Sequence, residues 1–559
     1  MRSRNRRLTR PRADTRSLAP GDPEPARKNR EGREAPRAGD RQGRANLKAR
    51  LGSAVARLLI PAGLVAAYLY AFPYFDKLHS ANEIPRVFLT EEIVDHHTFR
   101  LDARWAELGL GSTSDVSTTP GDHHYSNKAP GASLAAIPVY LLLKGWHAVA
   151  GGAPTLREAT WAFRVSVAAL PALLFLPFFF GLARRFADAE APCRAALVAY
   201  ALGSMIFPYA LLFYSHDLSA ACAGGSFVAA VALARGTALR PRLAALAAGA
   251  LSGGAILSDY QSAIAALAVF AYLLFRSPRR ARDLALAALG ALPPVAALAL
   301  YHWLCFGSAM KTGYSFAVDS AHKEGFLGII GPNLQALGQI LVTPDNGLLV
   351  LMPWAVLALV GVIAVARDRQ ARARGGPETL VCALVVAANL LFVGSLVPEF
   401  GRAGWSVGPR YLIVALPFFA WLASTGLAVA DRAVVWRTLA HALILVGVVV
   451  FVVAATTYPH WPNVFDNPLY EVSYRLLAEG RAPHSLGTAF GLRGIASLVP
   501  LYALVAALVV GLLAGRDRAR LATTAAAALI AAAVILSYAW FPREAQPETW
   551  QSIVAQWEP

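Results

Sequence analysis

Apolar runs of about 20 residues recur along the chain, separated by short arginine-rich segments and by longer ones rich in acids and histidines. Runs of that length predict helices that cross a bilayer. They fall at residues 53–73, 161–183, 192–214, 217–235, 241–258, 260–276, 283–305, 346–366, 378–397, 411–430, 438–457, 494–515 and 521–541. Lipid offers no partner to a backbone N–H or C=O, so each run must be helical. One further run, 131–150, is interrupted by Lys144, Gly145, Trp146 and His147, which predicts a helix lying flat on the membrane surface. The expected fold class is an all-α polytopic membrane protein of about thirteen spans, with surface helices in a large first loop.

Arginines orient the spans. Clusters at Arg184-Arg185, at Arg235, Arg240 and Arg242, at Arg276 to Arg282, at Arg367 to Arg374, at Arg432 and Arg437, and at Arg516 to Arg520 all fall on one side if 131–150 does not cross. By the positive-inside rule that side is cytoplasmic. Residues 74–160, 306–345, 398–410 and 458–493 then become outer loops, and 542–559 an outer tail whose Trp550 and Trp557 are available to the interface.

The net charge of +17 raises nucleic acid as a partner, but residues 1–50 hold 16 Lys and Arg against 6 Asp and Glu, so most of the excess is local. Residues 1–52 read as a basic, disordered cytoplasmic tail near anionic lipid; they contain no aromatic side chain to stack a base, which argues against nucleic acid. Cys193, Cys222, Cys305 and Cys382 stand singly, without metal-ligand or disulfide spacing. No nucleotide-cradling motif occurs.

The chemistry-bearing residues collect on the outer side. Asn82-Glu83-Ile84-Pro85-Arg86 follows the first span, where a partly desolvated Glu83 could serve as a base; the plainer reading is a solvated loop carboxylate. Lys128, beside a Pro-Gly turn, suits a phosphate as a point charge or anchors a headgroup. His216-Asp217 sits between two spans with almost no loop, as a working ionisable pair or as an Asp217 helix cap. Asp259 ends another outward span. Glu399 to Tyr411 is a Gly-rich segment in which Arg410, followed by Tyr411, could fork a phosphate or simply snorkel. Asp115 and Asp122 are further carboxylates of the first loop. His96-His97, His123-His124, His216 and His302 raise a divalent cation, but no HxxxH or HExxH spacing supports one and no metal ligands are assigned.

The ordered motifs NEIPR, YSNKAPG, FYSHDLSA, FGSAMKTGY, TPDNGLLVLMP and WSVGPRYL, spread over residues 53–430, resemble the GT-C class of membrane glycosyltransferases. The nearest branch holds the protein O-mannosyltransferases and the lipid A aminoarabinose transferases. The resemblance implies a sugar donor carried on a polyprenyl phosphate, a lipid, glycan or protein hydroxyl as acceptor, and a bacterial plasma membrane with the active site outside. It further implies Glu83 and Asp217 as catalytic carboxylates, with Lys128 and Arg410 on the donor phosphate. Asn82 and Asn127 stand where that family carries acids, so the base could instead be Asp217, Asp115 or Asp122. Two other classes remain in view. A transporter or flippase predicts charges at the bilayer midplane and repeated halves; an inactive accessory protein is compatible with the two asparagines.

Overall fold

The computed structural model describes residues 59–72, 78, 80–108, 113, 115–398 and 404–556. The basic tail expected at 1–52, the start of the first span, Glu399 to Ala403 and Trp557 lie outside the described residues. Contacts divide the chain into Met1–Leu59 and Ile60–Pro559, and the second unit holds the fold.

The architecture is helical and multi-pass. Among the described residues nine helices are long and apolar enough to cross a membrane, and four shorter apolar helices accompany them: Leu59–Tyr68, Tyr260–Arg276, Pro353–Arg367 and Val499–Leu513. Gly131–Ala150 is one of the nine by length and composition, although Lys144 and Trp146 had suggested a flat helix. Where spans touch, small residues let backbones approach: a Cβ on Gly249 would stand 1.7 Å from the Ala287 carbonyl oxygen.

One expected span is broken. Instead of a continuous helix over 192–214, Glu190–Ala201 ends at a turn, Ile206–Tyr209 adds a single further turn, and residues 210–215 are irregular. The Ser204 hydroxyl explains the break: it donates to the Tyr200 carbonyl at 2.5 Å and accepts from the Ile206 N–H at 3.2 Å, competing with the helix ladder. Irregular backbone at membrane depth is tolerable only inside protein, and residues 195–217 are all buried. The break turns Tyr209, Tyr214 and Ser215 toward the end of the bundle where the polar residues gather.

The first loop is also more structured than a set of surface helices. Helix Ile84–Asp95, with Pro85 in its first turn, is buried from Ile84 to Glu92 rather than lying exposed. It packs on Gly131–Ala150, with Thr90 donating to the Ser133 carbonyl at 3.2 Å and Ser133 to the Arg86 carbonyl at 2.9 Å. An antiparallel hairpin, β1 (Val116–Thr118) and β2 (His124–Ser126), was not anticipated; it pairs Val116 with Ser126 and Thr118 with His124. Ser117 donates to the Gly313 carbonyl at 2.6 Å, drawing the loop after Phe306 onto the hairpin. Gly313 permits this approach: a Cβ there would lie 2.5 Å from the Asn127 Cα, and so Tyr314 comes to stand against Lys128. The last helix, Pro547–Gln556, buries Trp550 against Arg475, whose guanidinium lies 3.8 Å from the ring centroid, so Trp550 is a packing residue rather than an interfacial one.

Candidate active site

The sequence-predicted polar residues separate into three groups. The first is a buried network at the end of the bundle. The Lys128 ammonium contacts the Asp115 carboxylate at 2.7 Å, and the other Asp115 oxygen accepts from the Asn82 side chain at 3.3 Å. Arg86 donates to the Asn82 carbonyl at 2.7 Å, to the Asn82 side-chain oxygen, and to the Ser215 hydroxyl at 3.1 Å. Burial alone would raise the Asp115 carboxyl, but Lys128, Arg410 and Arg86 together hold it below the usual carboxylate range. Burial works against the Lys128 charge, and Asp115 with Tyr314 and Tyr411 outweighs it and raises the ammonium above its ordinary value.

Arg410 belongs to this group. It begins the Arg410–Ala430 segment, is buried, and lies over the faces of Tyr214 and Tyr411, 5.6 and 5.4 Å from their centroids. Among the described residues its guanidinium makes no hydrogen bond or ion pair, and its Nε is buried without a partner. The Tyr411 carbonyl accepts from Gln261. The ring of His216 is bracketed by Tyr209, Tyr214 and Tyr411 at 5.8, 5.8 and 6.2 Å, and its Nδ1 meets Asp259 at 2.9 Å. Asn82, Arg86, Asp115, Lys128, Arg410, Tyr411, His216 and Asp259 thus converge, although they come from six segments of the chain.

The second group is a saturated ion pair. Both oxygens of Glu83 are engaged by Arg164, each at 2.9 Å, and one also accepts the Phe213 N–H at 2.6 Å, with His460 at 3.7 Å from the other. Burial would raise this carboxyl, yet Arg164, His460 and the Phe213 N–H hold it below its ordinary value. A carboxylate so held, with its affinity for a proton lowered, is a poor base for a substrate hydroxyl, which weighs against the role expected of it. Arg164 opens a π-helical turn, Arg164–Ala169, inside the Leu156–Phe186 helix.

The third group stands apart. Asp217 is on the helix His216–Ala234, fully buried, with neither oxygen partnered. Tyr68 and Tyr200 are the groups its charge acts on. Asp122 occupies the hairpin tip at φ 56° and is exposed. The histidine pairs disperse as well: His96 contacts Glu92, and His123 and His124 contact Asp102. Among the described residues no three His, Cys, Asp or Glu side chains are placed to hold a metal ion.

Sequence reasoning missed Arg164, Tyr214, Tyr314 and His460. Arg164 had a signal, an arginine inside an apolar run, where a charge is costly; Tyr314 lay within the quoted FGSAMKTGY motif. A cavity of about 1180 Å³ opens elsewhere, between Trp146, Arg157 and Trp161 on one wall and Arg481, His484 and Arg493 on the other. Trp161 is one helical turn from Arg164.

No family model matches the sequence, and no curated protein matches it. Among solved structures the chain is similar to ArnT from Cupriavidus metallidurans in the apo state, with a TM-score of 0.45 and 17% identity over 88% of this chain and 78% of that one. It is similar also to ArnT from the same organism bound to undecaprenyl phosphate, with a TM-score of 0.44 and 13% identity over 87% and 77%. A third likeness is to the archaeal oligosaccharyltransferase AglB from Archaeoglobus fulgidus in complex with an inhibitory peptide and a dolichol-phosphate, with a TM-score of 0.39 and 13% identity over 92% and 60%.

Proposed function

We propose that the protein is a membrane glycosyltransferase that moves a sugar from a polyprenyl-phosphate-linked donor to a hydroxyl acceptor at the outer face of the membrane, with inversion at C1. One observation carries this reading: among the described residues Arg410 is a buried cation that makes no hydrogen bond or ion pair, and Arg86, in the same network, has a buried Nε without a partner. Buried donors without acceptors are rare in native proteins and call for an explanation. A phosphate provides one, and the position at the end of apolar helices suits a phosphate whose tail remains in lipid. The motif resemblance in the sequence points the same way.

In this reading Arg410 and Lys128 hold the donor phosphate and stabilise the charge it gains as the glycosidic bond breaks. Asp115 orients Lys128, and Arg86 fixes Asn82 and Ser215. Glu83 is a strut rather than a base. Holding both substrates at one interface supplies rate through proximity.

The test is release of polyprenyl phosphate from a panel of polyprenyl-phosphate-linked pentoses and hexoses by the full chain in nanodiscs. Arg410→Gln should slow release by about a hundredfold, the scale of one lost donor to a developing anion. Failure of every donor, or an unchanged rate in Arg410→Gln, rejects the reading.

A further inference from the structure

We propose that the His216–Asp259 pair takes the proton from the acceptor hydroxyl, with His216 Nε2 as the proton acceptor and Asp259 as the residue that positions the ring. This rests on the glycosyl-transfer reading and supplies the base that reading lacks.

The geometry fixes the tautomer. Asp259 meets Nδ1 at 2.9 Å, and a carboxylate only accepts, so in the neutral ring Nδ1 carries the hydrogen and Nε2 the lone pair. Nε2 is buried with no partner. The ring shares its chamber with Arg410: two of the three tyrosines that bracket it, Tyr214 and Tyr411, also lie against that guanidinium. The groups facing His216 are Asp259 at the end of helix Pro241–Ser258, Arg410 and Tyr411, Arg86 on helix Ile84–Asp95, and Tyr209 and Tyr214 on the irregular segment.

The carboxylates compete poorly for the role. Glu83 has both oxygens on Arg164. Asp115 has one on Lys128 and the other on Asn82. Asp217 makes no hydrogen bond with Arg86, Lys128 or Arg410. A histidine whose far nitrogen is held by an acid is the recurring solution to activating a hydroxyl.

The step balances. The acceptor O–H gives its proton to Nε2 while its oxygen forms a bond to C1. The bond from C1 to the phosphate oxygen breaks, its electron pair leaves with the phosphate, and Arg410 with Lys128 holds that anion. The imidazolium is stabilised by Asp259 at Nδ1 and then gives the Nε2 proton to the departing polyprenyl phosphate, which restores the starting tautomer.

The experiment uses the full chain in nanodiscs, comparing wild type, His216→Gln and Asp259→Asn in single-turnover release of polyprenyl phosphate from pH 5.5 to 8.5, with undecaprenyl phosphate binding followed by native mass spectrometry. His216→Gln should lose about a hundredfold or more in rate, the contribution of a general base, together with the rising limb of the pH profile, while binding stays within about threefold. Asp259→Asn should lose less and shift the limb. A rate within about tenfold of wild type in His216→Gln, or a loss of binding as large as the loss of rate, overturns the proposal; the latter would make His216 a phosphate ligand. A second readout needs no turnover: in histidine-labelled protein, the ¹⁵N resonances that vanish in His216→Gln should report a protonated Nδ1 and a bare Nε2 at pH 7. A protonated Nε2 there overturns the proposal. Failure of every donor in wild type with the expected tautomer present rejects glycosyl transfer instead.

Discussion

Arg164 and Arg410 are both buried arginines of the membrane domain, and they live in opposite electrostatic conditions. Arg164 spends its fork on Glu83, with two contacts of 2.9 Å, and the pair is further tied to the Phe213 N–H and His460. Arg410 has ring faces for neighbours and, among the described residues, no hydrogen bond or ion pair. Desolvating a charge is expensive unless it is paired, so the first arrangement is complete in the protein alone and the second, on the proposed reading, is completed by the donor phosphate. Proximity in sequence to an acidic motif does not separate a strut from a seat; the state of its hydrogen bonds does.

The largest effect that would break this comparison is on stability. Removing one partner of a buried ion pair strands the other, so Glu83→Gln should cost about 3–5 kcal/mol, read as a fall in thermal unfolding temperature in detergent. Arg164→Leu should do the same. If Glu83→Gln kept its stability and lost only transfer, Glu83 would be chemical after all and the strut reading would fail.

Arg410→Gln should behave in reverse. Hydrogen bonds to charged groups contribute about 1.5–3 kcal/mol, so undecaprenyl phosphate should bind roughly ten- to a hundredfold more weakly by native mass spectrometry. Unfolding temperature should hold or rise, because an unpaired buried charge has been removed. Equal binding by the variant would show that the seat holds something else.

How much of this was legible in the sequence depends on where each residue sits in its run. Lys128, His216, Asp259 and Arg410 stand at or beside the ends of apolar segments, with Asn82 a little beyond one, where a polar side chain is conspicuous, and hydropathy together with the arginine clusters brought them to one face. What it could not give was pairing. That Glu83 would be claimed by Arg164 depends on a π-helical turn 81 residues away, and local pattern carries no trace of it. The broken helix after Ala201 was hidden because Gly203, Ser204 and Pro208 each read as tolerable inside a span. The hairpin at Val116 was hidden because two strands of three residues are too short for an alternation to register.

A smaller effect sharpens the boundary of the seat. The Asp115 carboxyl is depressed and the Lys128 ammonium raised by their mutual contact. The Asp115 contribution is therefore fully present above the unfolded aspartate value of about 3.9 and is lost as pH falls through the lower folded value; the Lys128 contribution is fully present below about 10.4 and is lost as pH rises through the higher folded value. Thermal stability should be flat between these limits as far as this pair is concerned. Asp115→Asn should erode the alkaline edge, since Lys128 then loses the partner that raised it. An unchanged alkaline edge would mean that Asp115 does not hold Lys128.

The smallest effect belongs to Asp217, and it tests the comparison where sequence reasoning had most to lose. Asp217 shares with Arg410 the property of being buried and unpartnered, so an orphaned polar atom alone would qualify it equally as a site. The difference is company: Arg410 stands with Arg86 and His216, each presenting its own orphaned nitrogen, whereas Asp217 has Tyr68 and Tyr200, and the Tyr68 hydroxyl is already spent on the Ala201 carbonyl at 2.6 Å. A lone buried carboxylate is relieved by neutralising it, so Asp217→Asn should leave polyprenyl phosphate release within about threefold and leave stability equal or slightly raised, by up to about 1 kcal/mol, a fraction of the desolvation cost of a buried polar group. A collapse of release in Asp217→Asn, with folding intact, would show that convergence of unpartnered polar atoms is the wrong criterion and that single buried charges in this bundle must each be weighed as chemistry.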